Sequence, residues 1–191
     1  MSKKTNPKVL GGQFEREISR LLSAWILGKD INNPDEVKNT KLVVWRVGSS
    51  GAVATISNQV KLHGDIVPID EVAIPILEKF NFEVKRRKSF NLFSVLSKPN
   101  KKREFLSWFE QANIEGYQPI FIFKVLRVGW YAVIDTLLLY DLIEFCGNPP
   151  ESIKLKFEEK TLFIFELTKF LTWSYNYIKM LQDLWKTTKN I

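Results

Sequence analysis

The order of elements in this chain predicts an α/β fold with a mixed central β-sheet flanked by helices. Three observations predict it. Apolar residues recur at helical spacing between residues 11 and 27. Short β-branched and aromatic runs follow at 41–47, 64–69 and 80–87, each ended by a turn or a charged run. Two further strand runs, 117–126 and 130–138, come only after another helical stretch, and that alternation of helix and strand is the α/β pattern.

Each element has a local justification. Phe14, Ile18, Leu21, Leu22 and Trp25 form one apolar stripe of a first helix, with Glu15 and Glu17 at its two edges. Periodicity does not say which glutamate is functional, and the helix dipole favours both in a first turn. Residues 28–39 contain Asn32-Asn33-Pro34 and read as a loop. The strand KLVVWRV ends in Gly48-Ser49-Ser50-Gly51, a turn able to offer amides and hydroxyls to a phosphate. Residues 52–63 form a polar insertion, and Pro75 lies in the connection between the second and third strands. Phe105, Trp108, Phe109 and Ala112 mark a helix ended by Gly116, and Arg127-Val128-Gly129 joins the next two strands as a hairpin. After the break at Gly147-Asn148-Pro149-Pro150, residues 153–157 and 161–167 form a second hairpin around Glu158-Glu159-Lys160. Thr168 is placed to cap a final helix carrying Phe170, Leu171, Ser174, Ile178, Leu181 and Trp185 on one face. Residues 1–10 are expected to be a disordered basic tail and 11–191 a single domain, with a core at about 11–138 and an extension at about 139–191.

Composition narrows the chemistry. A net charge of +7 suits a polyanionic partner as well as a generally basic soluble surface. One cysteine, Cys146, and one histidine, His63, exclude an internal disulfide and a Cys/His zinc site. Cys146 lies in an apolar setting that suits a core filler, and His63 has no nucleophile-elbow sequence beside it. Metal chemistry must therefore use carboxylates, which points to Mg2+ or Mn2+. The basic N-terminus is not followed by an apolar run, and Asp135 interrupts the longest apolar segment, so a cytoplasmic protein without membrane association is expected.

The stretch 64–88, GDIVPIDEVAIPILEKFNFEVKRRK, concentrates the candidate chemistry. In the run Phe80-Asn81-Phe82-Glu83-Val84-Lys85, alternation puts Glu83 and Lys85 on one strand face and Phe82 and Val84 on the other. With Asp65 on a neighbouring strand, two carboxylates and a lysine make a hard-cation site with an ammonium beside it. A solvated strand face with a salt bridge would have the same sequence. Two basic runs, Lys85-Arg86-Arg87-Lys88 and 98–103 with Lys98, Lys101, Lys102 and Arg103, suit contacts to a nucleic-acid backbone.

Gly64-Asp65 and Glu83-Val84-Lys85 together resemble the PD-(D/E)XK nuclease motif. Five segments, in the family's order, resemble the archaeal Holliday junction resolvases within that group: GGQFEREISRLL, WRVGSSG, GDIV, FEVK and FKVLRVGWYAVI. The likeness covers roughly residues 11–134 and implies a restriction endonuclease-like fold. It implies that Asp65 and Glu83, with the main-chain carbonyl of Val84, hold the divalent metal. Lys85 would orient the attacking water or stabilise charge on the phosphate, and Glu15 would complete the site. Arg46, Ser49 and Ser50 match positions facing the DNA. The implied activity is cleavage of DNA, branched DNA above all, by a homodimer; a nuclease on ordinary duplex and a DNA-binding protein with a nuclease fold are the alternatives. Residues 28–40 and 52–63 are longer than the archaeal proteins need, and the part from about Tyr140 to Ile191 has no counterpart in them; the Lys- and Asn-rich chain with this added C-terminal part suits a phage or mobile-element relative, which would act in the host cytoplasm.

Overall fold

A computed structural model describes residues 7–46, 64–87, 92–125 and 128–189; for residues 7–15, 86, 87, 92 and 93 the backbone alone is described. The serines Ser49 and Ser50, together with Lys88 and His63, fall outside the described residues. Helix α1 (Pro7–Ile26) opens the chain, so residues 7–10, expected in a basic tail, are helical. Helix α2 (Pro34–Asn39) replaces the expected loop: Asn33 accepts the amides of Asp35 and Glu36, and Pro34 sits where a helix lacks an amide partner.

Strand β1 (Val44–Arg46) pairs antiparallel with β2 (Ile66–Pro68). The expected strand 41–47 is shortened at its start, where the buried Ser23 hydroxyl of α1 accepts the amides of Val43 and Val44 at 3.0 and 3.3 Å. A 3-10 turn (Glu71–Ala73) and helix α3 (Ile74–Lys79) lead into β3 (Phe80–Arg87). Helices α4 (Leu92–Ser97) and α5 (Pro99–Ala112) then cross over to β4 (Gln118–Val125), which lies parallel to β3.

Strand β5 (Gly129–Asp135) returns antiparallel to β4. The strand expected to reach Leu138 stops at Asp135, whose carboxylate accepts the Leu138 amide at 3.0 Å and caps helix α6 (Thr136–Cys146). An apolar run such as TLLLY satisfies either period, and the cap decides between them. Strands β6 (Ser152–Lys156) and β7 (Thr161–Glu166) form the expected second hairpin, giving a five-stranded mixed sheet in the order β3-β4-β5-β7-β6. Helix α7 (Leu167–Lys189) follows, capped by Glu166 rather than Thr168: the Glu166 carboxylate accepts the Thr168 and Lys169 amides at 3.1 and 2.9 Å.

Strand alternation sorts the sheet into two faces. Phe80, Phe82, Val84, Ile120, Ile122, Ala132, Ile134 and Phe165 pack with α1, α3, α6 and α7 around Ile18, Leu22, Trp25, Leu138, Phe170 and Ile178. Phe121, Phe123, Val125, Val133, Leu155, Leu162 and Ile164 face Val95 of α4 and Phe105 and Phe109 of α5. The result is a three-layer α/β structure. Glu83 and Lys85, in register with Phe121 and Phe123, lie on the α5 side. Among the described residues no helix is long and apolar enough to cross a membrane.

Candidate metal and DNA site

Strand β3 carries the site, and Gly64-Asp65 clamps onto it. Gly64 has φ +75°, a left-handed conformation that only glycine adopts without strain. A Cβ there would lie 2.5 Å from the Phe82 carbonyl and 2.3 Å from the Asn81 side-chain oxygen. The turn thus brings the backbone against β3 closer than any side chain allows. Asp65 then makes two bonds to that strand: its amide donates to the Phe82 carbonyl, and its Oδ2 accepts the Val84 amide, each at 2.8 Å. The two bonds straddle Glu83.

Glu83 is 7% exposed, and its carboxylate is ion-paired with Lys85 two residues on. A carboxylate this buried requires a cationic partner. The shared face of Glu83 and Lys85 and the core burial of Phe82 and Val84 agree with the alternation expected from sequence. The donors gathered here are carboxylate oxygens, with the strand's main-chain oxygens beside them. That set suits a hard cation of the Mg2+ or Mn2+ kind rather than a soft metal. No cluster of three or more carboxylate, imidazole or thiol side chains occurs among the described residues. Cys146 is half-buried against the α6–α7 core, and burial pushes its thiol up from the ordinary value, which keeps it an inert filler.

The other expected residues fall around this centre. Glu15 lies in α1, and its side chain is outside what is described. Glu17 is tied up elsewhere. It accepts the Lys124 ammonium at 2.7 and 2.9 Å and the Trp130 indole at 3.2 Å, on the sheet face opposite Glu83. Arg46 is the partner of Ile66 in the β1–β2 ladder, one residue along from Asp65. Arg86 and Arg87 continue β3 beyond Lys85.

Helix α5 separates the three basic residues of its first turn. Lys101 shares a side of the helix with Trp108, seven residues on, and bonds Glu104 at 2.7 Å. Trp108 in turn packs against Phe121, the neighbour of Glu83, with ring centroids 6.4 Å apart. Lys102 and Arg103 instead line a groove of about 600 Å³ on the opposite flank, between α5 and the β6–β7 turn, with Lys102 5.1 Å from the Phe157 ring centroid. Asn81 is buried on the same face of β3. It follows the same alternation as Glu83 and Lys85.

A mixed sheet between helical layers, with an acid at the mouth of one strand clamped against an E-x-K strand, is the restriction endonuclease-like architecture of the PD-(D/E)XK nucleases. A family model described as "Phage putative PDDEXK endonuclease" matches residues 6–180, and the chain belongs to that family. Comparisons with curated proteins and with solved structures returned no match.

Proposed function

We propose that this protein is a divalent-cation-dependent DNA endonuclease with Asp65, Glu83 and Lys85 as its catalytic set. The observation that carries the reading is the pair of Asp65 bonds to Phe82 and Val84, which bracket Glu83 and bring its partner Lys85 beside them. Asp65 and Glu83 hold the cation. The Val84 carbonyl is a third donor, since in an extended strand it points to the same edge as the Val84 amide that Asp65 receives. Glu15 completes the set from α1. Bound Mg2+ or Mn2+ neutralises the phosphate and makes water nucleophilic. Lys85 orients that water or stabilises the negative charge that develops on the phosphate, and Glu83 holds the ammonium in place meanwhile. Arg46, Ser49, Ser50, Arg86, Arg87, Lys88, Lys101, Lys102 and Arg103 hold the DNA backbone through sequence-independent, salt-sensitive contacts.

The substrate we propose is branched DNA, cut by a homodimer in the host cytoplasm. Each chain carries one catalytic set, and a two-fold pair places two sets symmetrically. Leu137, Tyr140 and Phe145, exposed along α6, supply an apolar surface for that pairing. The test is purified protein with Mg2+ on a four-way junction, a linear duplex and a single strand. The junction should be cut fastest, and Asp65→Asn, Glu83→Gln and Lys85→Ala should each abolish cleavage while keeping most DNA affinity. Turnover by the Asp65 and Glu83 variants at the normal rate would remove the site. Duplex cut as fast as the junction by a monomer would keep the chemistry and replace the substrate.

A further inference from the structure

Asn81 is 1% exposed, near the start of edge strand β3 on the sheet face that also bears Glu83 and Lys85. Its amide nitrogen donates to the carbonyl of Ala112 at 2.8 Å. Ala112 is the last residue of α5, so that carbonyl has no partner within the helix; it accepts the Asn81 amide and, at 3.1 Å, the Ile114 amide. The other end of the amide is unusual. Its Oδ1 is buried and has no hydrogen-bond partner among the described residues. Buried acceptors are nearly always satisfied, so this one calls for a reason. Its neighbour supplies one: Oδ1 presses on Gly64, 2.3 Å from where a Cβ would be. The side chain therefore fills the space between the end of α5 and the turn that launches Asp65.

We infer that Asn81 is a positioning residue for Asp65. Anchored from behind by the Ala112 carbonyl, its amide is a rigid stop against the Gly64 turn. That stop fixes how Asp65 approaches β3, and so keeps both Asp65 bonds, to Phe82 and to Val84, in place beside Glu83. The hold on Asp65 is a statement about the turn alone; its consequence for cation binding rests on the nuclease reading above. A residue that only capped α5 would support the helix and leave Asp65 undisturbed.

The test uses the full chain with Asn81→Leu, and Leu155→Ala as a control at the far edge of the same sheet face, where Leu155 is buried. Amide hydrogen exchange is followed at Asp65, Val84 and across the β4–β5 ladder, and Mn2+ binding is measured by calorimetry. In Asn81→Leu the Asp65 and Val84 amides should exchange about ten-fold faster relative to the β4–β5 amides, because the bonds they make open locally. Mn2+ should bind about ten-fold more weakly, and the control should change neither ratio nor affinity. If Asp65 and Val84 lose protection only in step with β4–β5, the positioning role is overturned. If the wild-type chain binds no Mn2+ while the local exchange change is present, the cation reading fails and the hold on Asp65 stands. Should Asn81→Leu not fold, Asn81→Ala, which only shortens the side chain, is read in the same way.

Discussion

Replacing Gly64 by alanine probes the clamp that brings Asp65 to β3. At φ +75° an L-residue costs about 1–2 kcal/mol over glycine. The new methyl would stand 2.5 Å from the Phe82 carbonyl and 2.3 Å from Asn81 Oδ1, both far inside ordinary contact. The carbonyl is backbone in a paired strand, and Asn81 is buried, so neither neighbour yields cheaply. Relief must come from the turn, at the expense of the 2.8 Å bond from the Asp65 amide to Phe82, a loss of about 0.5–1.5 kcal/mol net. Together the destabilisation should be about 1.5–3.5 kcal/mol, or roughly 3–14 °C in Tm for a chain of this size. Urea melts should show a lower midpoint with an unchanged slope. Cleavage should fall by more than the unfolded fraction explains, because the molecules that remain folded carry a displaced Asp65. In the double variant with Asn81→Ala one of the two close contacts is gone, so the two changes should be less than additive. An alanine variant within about 0.5 kcal/mol of wild type and equally active would refute the reasoning, since substitutions without structural consequence lie within that range.

Four further outcomes are expected. Glu17→Gln should leave cleavage intact and cost at most about 1 kcal/mol, because Glu17 is half-exposed and engaged with Lys124 and Trp130, whereas Glu15→Gln should impair cleavage; parallel rate and melting measurements on the two variants decide this. Cleavage should require Mg2+ or Mn2+, with Ca2+ supporting DNA binding and little turnover, and full activity in excess chelator would remove the cation from the mechanism. The Asp70 carboxyl is held below its usual 3.8 by its hydrogen bonds from Lys41 and the Val72 amide, so its stabilisation is present above that value and is lost as pH falls through the lowered one; Asp70→Asn should therefore melt lower near neutral pH and lose less stability than wild type as the solution is acidified, read from Tm against pH. The Tyr177 phenol is pushed up to about 12, by burial first and then by the charges around Asp141, so stability should decline as pH rises from about 10 through about 12, and Tyr177→Phe should flatten that decline in alkaline melts.

Alternation and turn chemistry are local properties, and they made much of this protein legible in its sequence. The E-x-K strand, its two-faced character, both hairpins and the apolar stripes of α1 and α7 all follow from spacing alone. Local spacing gives the wrong element where a contact outside the window decides. Residues 136–138 turn helical because Asp135 caps them, and β1 begins late because Ser23 takes the Val43 and Val44 amides from twenty residues away. The site divides in the same way. Sequence placed Glu83 and Lys85 side by side, since two residues along a strand share a face whatever the rest of the chain does. It could not place Asp65 against them: that needs a left-handed Gly64 pressed on the Phe82 carbonyl, with Asn81 behind it anchored to the end of α5. Nor could spacing distinguish Glu17 from Glu15, and only the fold shows Glu17 engaged by Lys124 and Trp130, more than a hundred residues on. Pairings over such separations depend on how the layers pack, and packing is set by the whole core rather than by any stretch of it.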